Sequence, residues 1–311
     1  MGSSVTIVGG GVIGYTCALE LARAGHQVVV ASADPPEDTT SAVAAAIWFP
    51  YEAGPADAVA RWGEVSLGIF TGLAEHPDTG VLLRSGLVLH RDDDPDLSWT
   101  ASVPDHRQVT SDVPGVRGAT RCTLPVVEMG RYLGWLVDQA HAAGVRTVRR
   151  TVRDLAELDG AGPVVVAAGL RAGELTGDRD LVPVRGQVVR LANPGLTDWL
   201  IDDEHPAGMT YVIPRGTDVV CGGTAERGGT DRTPDDATER AILRRARDLV
   251  PALRDAPVVS RGVGLRPARP VVRLDRTEIG GREVISCYGH GGAGVTLSWG
   301  CAADVAALVR S

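Results

Sequence analysis

Length, composition and charge already exclude several classes of protein. The chain has 311 residues, of which 44% are hydrophobic and 23% charged. At roughly 100–200 residues per domain, this predicts about two folded domains and excludes a disordered or fibrous chain. With 31 basic and 39 acidic residues the net charge is −8, so we expect no nucleic-acid partner.

The absence of lysine and the scattered positions of the cysteines exclude further kinds of site. All basic residues are arginine, which excludes Schiff-base and phosphate-loop lysines. The five cysteines form no CxxC pair and have no histidine at ligand spacing, so we predict neither disulfides nor a metal site. No apolar run reaches the roughly 18 residues of a membrane helix, and no positively charged leader begins the chain. We therefore expect a cytoplasmic protein without a membrane partner.

The first 34 residues predict a βαβ unit. An apolar run over Val5–Val8 is followed by a glycine cluster and by a helical segment that ends near Ala24. A second apolar run then covers Val28–Ala31. This order of elements is typical of the start of a dinucleotide-binding domain.

Between the first strand and its helix, Gly9, Gly11 and Gly14 form the motif G-x-G-x-x-G. Such glycines allow a tight turn and bring backbone N–H groups close to a pyrophosphate at the helix N-terminus. Asp34 follows Gly14 by 20 residues, where an acid can accept hydrogen bonds from ribose hydroxyls. Because Asp34 lies past the predicted strand, Ser32 is the alternative ribose contact. The pattern predicts a bound dinucleotide, either NAD or FAD.

The rest of the chain alternates helical and strand patterns. Further helices are predicted over 56–76, 128–143, about 235–249, and from about 294 onward. Strands are predicted over 81–90, 145–149, 163–168, 187–191, 211–214, 218–221, 258–263 and 283–288. The acidic run at 92–96 is predicted to be a solvated loop. We expect two interleaved domains, with the last helix returning to the first βαβ unit.

A glycine-rich segment near the C-terminus favours a flavin over a nicotinamide. Gly289, Gly291, Gly292 and Gly294 lead into the last predicted helix. Their N–H groups and the positive end of the helix dipole suit the negative charge of a reduced flavin, which reduced nicotinamide lacks. The apolar strand that ends at Gly169 is compatible with a dinucleotide above it, and equally with a core strand that meets a turn.

Four segments resemble, in their order along the chain, the motifs of the D-amino-acid oxidase family. They are TTSAVAAAIWFPY at 39–51, YVIP at 211–214, GLRPARP at 264–270 and YGHGGAGVT at 288–296. Together with the first glycine motif they span nearly the whole chain. Four motifs in the same order are far more specific than any one of them.

The resemblance implies a cofactor and a fold. The cofactor is expected to be non-covalently bound FAD. The fold class is expected to be α/β, with a Rossmann-like FAD-binding domain interleaved with an α+β substrate-binding domain built on an antiparallel sheet. The FAD-binding domain would comprise 1–48, 122–177 and 265–311, and the substrate-binding domain 49–121 and 178–264.

The resemblance also implies roles for individual residues, carried over by position. Arg266 matches the arginine that binds the substrate carboxylate, Tyr211 the tyrosine that supports that carboxylate, and Gly292 the glycine whose carbonyl holds the amine. The side-chain pocket is expected at Phe49, Ile201 and Ile213. The residues expected to bind FAD are Gly9, Gly11, Val12, Ile13, Gly14, Asp34, Thr39, Thr40, Ser41, Ala45, Ala46, Ile47, Gly169, Gly291, Gly292, Gly294, Val295 and Thr296.

The residues expected around the pocket bear on substrate choice. Phe49 favours neutral or aromatic side chains, whereas Glu52 and the acids at 202–204 favour basic ones. No added arginine stands near Phe49 or Ile201 to pair with a second carboxylate, so acidic substrates are the least favoured. Eukaryotic members of the family carry a second tyrosine, on a longer loop, at the position of Ala207. We therefore expect a more open site here.

The resemblance leads to one functional hypothesis and two alternatives. We predict an oxidoreductase that oxidises D-amino acids with oxygen, by hydride transfer from the α-carbon to flavin N5. Its products would be an α-keto acid, ammonia and hydrogen peroxide. The alternatives are a glycine or sarcosine oxidase and, from a different class, a nicotinamide-linked dehydrogenase or a non-catalytic dinucleotide-binding protein. The oligomeric state is left open, with a homodimer as one option.

Overall fold

The computed structural model describes residues 2–310. Within them the strands are β1 (Ser4–Val8), β2 (Gln27–Ser32), β3 (Val81–His90), β4 (Arg107–Val109), β5 (Gly118–Val127), β6 (Arg146–Arg149), β7 (Val164–Val166), β8 (Val182–Ala192), β9 (Trp199–Asp202), β10 (Thr210–Pro214), β11 (Asp218–Gly222), β12 (Glu226–Arg227), β13 (Val258–Ile279) and β14 (Arg282–His290). The helices are α1 (Val12–Arg23), α2 (Thr40–Val43), α3 (Ala56–Leu73), α4 (Met129–Ala142), α5 (Ala172–Thr176), α6 (Asp236–Leu249) and α7 (Gly294–Arg310).

The βαβ unit forms as predicted and lies in a region of parallel pairing. β1 pairs in parallel with β2 and β7, β2 pairs with β6, and β7 pairs with β14. Parallel strands are covered on both faces, which explains why β7 is entirely apolar and why the apolar residues of β1 are all buried. α1 packs against α4 and α7, so the last helix returns to the first βαβ unit as predicted.

The second region of the sheet is mostly antiparallel. Its strand order is β4-β5-β3-β9-β10-β11-β8-β13, with β3 and β9 parallel to each other. β13 joins the two regions, because Val258–Ala268 pairs with β8 and Arg273–Ile279 pairs with β14. The predicted α/β fold class with an antiparallel substrate region is confirmed. The domain boundaries stay a prediction.

Several elements differ from the sequence predictions. The strand predicted over 258–263 continues to Ile279, and β4, β5, β9 and β12 were not predicted. α3 ends at Leu73 rather than near His76. β5 contains Pro125, a residue that argues against a strand interior when only the sequence is known. No helix among the described residues is long and apolar enough to cross a membrane.

Candidate active site

A cavity of about 450 Å³ lies where the two regions of the sheet meet. Its wall includes the turn after β1, most of residues 38–49, the turn after β7, parts of β8, β10 and β13, and the start of α7. Every residue predicted to contact cofactor or substrate lines this cavity except Gly14 and Thr296. The fold therefore brings together segments that lie more than 250 residues apart in the chain.

The turn between β1 and α1 is built around glycines. Gly9 has a φ of 123°, and a side chain there would overlap the carbonyl of Ala167. Gly14 lies behind the cavity wall, where a Cβ atom would overlap the Gly9 carbonyl oxygen, so it packs the helix on the strand. The N–H of Val12 donates to Ser41 Oγ at 3.1 Å. The positive end of α1 thus begins at the cavity wall, tied to the segment around α2.

The end of β2 carries the two candidate ribose contacts. Ser32 is buried, and its hydroxyl donates to the Asp34 carbonyl at 2.7 Å. Asp34 is exposed and also lines the cavity. The Ser32 hydroxyl has donated its proton within its own loop, so toward a ribose hydroxyl it can only accept a hydrogen bond, as the Asp34 carboxylate can. Three arginines that the sequence analysis did not single out also line the cavity: Arg150, Arg171 and Arg232.

The segment between α2 and α3 is held rigidly along the cavity by backbone contacts with β5. Ala46 has a φ of 56°, its carbonyl accepts from the Val127 N–H at 2.7 Å, and Ile47 bridges to Val126. Thr296 does not reach the cavity, because its hydroxyl donates to the Phe49 carbonyl at 2.9 Å and accepts from the Phe49 N–H at 3.1 Å. The buried Thr296 therefore positions the residue predicted to line the side-chain pocket.

The start of α7 forms a second positive pole of the cavity. Gly291, Gly292, Gly294 and Val295 line the wall there. The Gly291 N–H donates to the Pro267 carbonyl at 2.8 Å, which fixes this loop against β13. A 17-residue helix that begins at Gly294 directs its positive end toward the same space. The cavity therefore has helix N-termini at two places on its wall.

Arg266 supplies a third positive group. Its side chain is half-buried, and Nη1 donates to the Thr224 carbonyl at 2.8 Å. No carboxylate among residues 2–310 lies within ion-pair distance of this guanidinium. Gly186, on the adjacent strand, leaves the space that the guanidinium fills, since a Cβ there would lie 2.5 Å from Arg266 Cζ. A partly desolvated arginine without an anionic partner is costly, which points to an anionic ligand.

Tyr211 lies beside Arg266 and faces the same cavity. Its ring packs on Gly222 and Gly223, where any side chain would collide with it. Burial raises the pKa of Tyr211, while the neighbouring Arg266 lowers it in part. The net pKa is raised, so the phenol stays protonated at neutral pH and can donate a hydrogen bond.

The three residues predicted for the side-chain pocket line the same cavity. Ile201 stands opposite Tyr211 in the β9–β10 register, and Phe49 makes an edge contact with Trp99 at 5.1 Å between ring centroids. Ile213 lies two residues beyond Tyr211 on the same strand face. Tyr51, whose ring lies 2.8 Å from where a Gly292 Cβ would stand, was not predicted as a site residue. Tyr51 is the last residue of the family-like segment 39–51, and this position could have identified it.

His290 and Cys287 line the cavity and belong to a buried cluster of cysteine and histidine side chains. The ligand atoms of Cys287, His290 and Cys301 lie within 4.8 Å of one another, and Cys17 contacts Cys287. The spacing of these residues in sequence did not reveal the cluster. Three such atoms are one fewer than a structural zinc site uses. Hydrogen bonding to Cys287 and burial raise the pKa of the Cys17 thiol well above 9, so this thiol is protonated.

Burial of His290 predicts a loss of stability in mild acid. Burial lowers the pKa of His290 to about 4 from 6.5, so between these values the unfolded chain binds a proton that the folded chain excludes. The contribution of His290 to the free energy of unfolding is therefore fully present above about pH 6.5. It is lost as the pH drops toward 4, by about 1.4 kcal/mol per pH unit at most.

Urea unfolding of the holoenzyme at pH 7 and pH 5 measures this loss. We expect the difference in the free energy of unfolding between pH 7 and pH 5 to be about 2 kcal/mol smaller in His290→Gln than in the wild type. The exposed His76 provides the matched control, because His76→Gln should keep the wild-type difference. An unchanged difference in His290→Gln would show that His290 is not the group responsible.

The whole chain is similar to known flavoenzymes. Residues 4–308 match the profile of the family described as FAD dependent oxidoreductase, DAO. The chain is 47% identical over 307 residues to the D-amino-acid oxidase of Rubrobacter xylanophilus, covering 97% of this chain and 94% of that protein. It is 40% identical over 317 residues to the D-amino-acid oxidase of Streptomyces coelicolor, covering 98% and 96%.

The solved structures add a likeness of fold. Glycine oxidase from Geobacillus kaustophilus has a TM-score of 0.83 and 22% identity, and the match covers 100% of this chain and 95% of that one. At this identity the likeness shows the fold alone, whereas the family match and the two relatives above extend over nearly the full length. The chain therefore belongs to the DAO family of FAD-dependent oxidoreductases, and its cofactor is FAD.

Proposed function

We propose that this chain is a D-amino-acid oxidase, which converts a D-amino acid and oxygen to an α-keto acid, ammonia and hydrogen peroxide. The observation that carries the proposal is the guanidinium of Arg266. It faces the cavity beside the Tyr211 hydroxyl and has no carboxylate partner within the described part of the chain. Two relatives at 40% and 47% identity, both named D-amino-acid oxidase, support the same activity.

The residues of the cavity fit FAD. Gly10 and Gly11 line the turn after β1, and a Cβ at Gly11 would stand 3.1 Å from Ser41 Oγ, in the space that a pyrophosphate needs. The N-termini of α1 and α7 suit the two anionic parts of the cofactor, its pyrophosphate and its reduced ring. Residues 45–47 would lie along the ring. When bound, FAD supplies the two-electron acceptor that oxygen later reoxidises.

We assign the substrate contacts to groups of this chain. Arg266 binds the α-carboxylate as a two-pronged donor, the Tyr211 hydroxyl donates to the same carboxylate, and the Gly292 carbonyl accepts from the neutral amine. With the carboxylate and the amine of the substrate fixed, only one enantiomer would direct its α-hydrogen toward bound FAD. The side chain of that enantiomer would enter the pocket. The protein therefore acts mainly by orientation and by excluding water.

We also propose the range of substrates and the location of the enzyme. Neutral and aromatic side chains are accommodated by Phe49, Ile201 and Ile213, and basic ones by nearby acids. Within residues 2–310, the arginines that line the cavity besides Arg266 are Arg150, Arg171 and Arg232, and none of them lies on the strands that carry Ile201 and Ile213, so acidic substrates are the least favoured. A cytoplasmic location is supported by five buried, reduced cysteines, which are typical of a reducing compartment.

A peroxide assay on the purified protein tests the proposed activity. The protein should absorb near 450 nm, and it should form peroxide with D-alanine and D-phenylalanine but not with their L-enantiomers. Faster turnover of glycine or sarcosine than of any D-amino acid would favour an amine oxidase of that type. Turnover of the L-enantiomers would contradict the proposed orientation of the substrate.

Replacement of Gly11 tests the cofactor site. We expect Gly11→Ala to raise the dissociation constant of FAD by at least about tenfold, because its methyl group prevents close approach of the pyrophosphate to the backbone. The fold should survive, since the nearest contact is the flexible Ser41 hydroxyl. Titration of the apoprotein with FAD measures the change. Gly68→Ala on α3, where nothing lies within 4 Å, is the matched control and should bind FAD as the wild type does.

A further inference from the structure

Three acidic residues follow one another at the end of β9, beside the cavity. Asp202 is fully buried, and its carboxylate accepts from Arg91 Nη2 at 2.7 Å and Nε at 3.0 Å. Glu204 is exposed, and its carboxylate accepts from the N–H of Arg91 at 2.8 Å. These two acids hold the loop that follows β3, so their charges are used within the fold.

Asp203, between them, has no such role. It is half-buried and lines the cavity, and within residues 2–310 its carboxylate accepts only from its own backbone N–H and forms no ion pair. Ile201 and Asp203, on either side of Asp202 in the chain, line the cavity, whereas Asp202 does not. A partly desolvated carboxylate without a cation is costly unless a ligand supplies one.

Asp203 lies near the carboxylate-binding group because the turn that carries it follows β9, the strand paired with that of Tyr211. Tyr211 stands directly opposite Ile201. β9 ends at Asp202, which pairs with Thr210 of β10, so Asp203 is the first residue of the turn that follows and lies close to the end of this strand pair. Because Asp203, Arg266 and Tyr211 line the same cavity, an amino acid held there by its carboxylate can direct a long side chain with a terminal charge toward Asp203.

The electrostatic surroundings are consistent with a cation at this place. Burial and the negative charges of Glu52 and Asp203 raise the pKa of Tyr51, and Arg266 lowers it in part. The Tyr51 ring therefore lies close enough to interact with both Arg266 and Asp203. An aromatic ring next to a carboxylate is a favourable environment for a guanidinium. The nearby His90 is buried, and burial lowers its pKa, so it supplies no positive charge at neutral pH.

We propose that Asp203 binds the side-chain guanidinium or ammonium group of a basic D-amino acid, which makes the enzyme selective for such substrates over neutral ones of the same shape. This inference rests on the proposed oxidase function. Asp203 acts as a specificity residue, while Arg266 and Tyr211 hold the common part of every substrate.

D-Arginine and D-citrulline provide the test, since they have the same length and shape and differ in one charge. We expect the wild type to show a kcat/KM at least about tenfold higher for D-arginine, the size expected of a charge-assisted hydrogen bond. Asp203→Asn should reduce this ratio to within about twofold of unity, and Asp203→Glu should restore most of it. Glu204→Gln removes the same charge one residue away, outside the cavity wall, and should keep the wild-type ratio.

The outcomes separate this inference from the function on which it rests. Oxidation of D-alanine together with equal kcat/KM values for D-arginine and D-citrulline in the wild type would overturn the role of Asp203 only. Absence of peroxide with every D-amino acid would overturn the oxidase function itself. If Asp203→Asn fails to fold, the wild-type ratio still decides, because it must fall as ionic strength rises when a charge pair causes it.

Discussion

Arg266→Leu is expected to lower kcat/KM for D-alanine by about 30-fold or more, mainly through a higher KM. Truncating one partner of a desolvated charge pair costs about 2 kcal/mol or more. Arg266 donates to the Thr224 carbonyl and has no carboxylate partner in the described residues, so the loss falls on a ligand rather than on an internal ion pair. Steady-state peroxide formation measures the effect.

Two further variants make this result specific. Arg266→Lys keeps the charge but not the two-pronged geometry, so an intermediate kcat/KM is expected. Arg261 lies on the same strand, paired with Glu239 and outside the cavity wall, and Arg261→Leu should leave kcat/KM close to that of the wild type. Wild-type kinetics in Arg266→Leu would exclude the guanidinium from substrate binding.

Much of the fold follows from the sequence because parallel strands buried on both faces read as apolar runs. β1, β2 and β7 were predicted for this reason. β13 was predicted too short, since the segment around Arg266 contains two prolines and does not alternate. In the structure it is a strand nonetheless, because β8 pairs with its first half and β14 with its second half. Such long-range pairing leaves no local pattern.

The site residues that lie in recognisable motifs could be predicted from the sequence. Arg266 and Tyr211 were identified from a family resemblance, and the cavity brings them together. The sequence could not show which of the acids at 202–204 faces the cavity, because β9 was not predicted and the alternation of its side chains depends on the strand. The role of Gly186 was also missed, although a glycine inside a strand often marks close approach of another group.

Gly186→Ala is expected to lower kcat/KM for D-alanine by about tenfold or more without loss of FAD. The added methyl group would lie 2.5 Å from Arg266 Cζ, so the guanidinium must leave its present position. A displacement of about 1 Å at a positioning group is enough for an effect of this size or larger. Gly134→Ala on α4, with nothing within 4 Å, should behave as the wild type. Absorbance at 450 nm reports FAD content in both variants.

The double variant shows whether Gly186 acts through Arg266. If the methyl group harms catalysis only by displacing the guanidinium, Gly186→Ala should have almost no additional effect once Arg266→Leu is present. Residues in direct contact are expected to show such non-additivity, whereas independent sites add. Additive losses would mean that the alanine disturbs the pairing of β8 with β13 instead. In that case the free energy of unfolding would also fall, and the glycine would serve the sheet rather than the substrate.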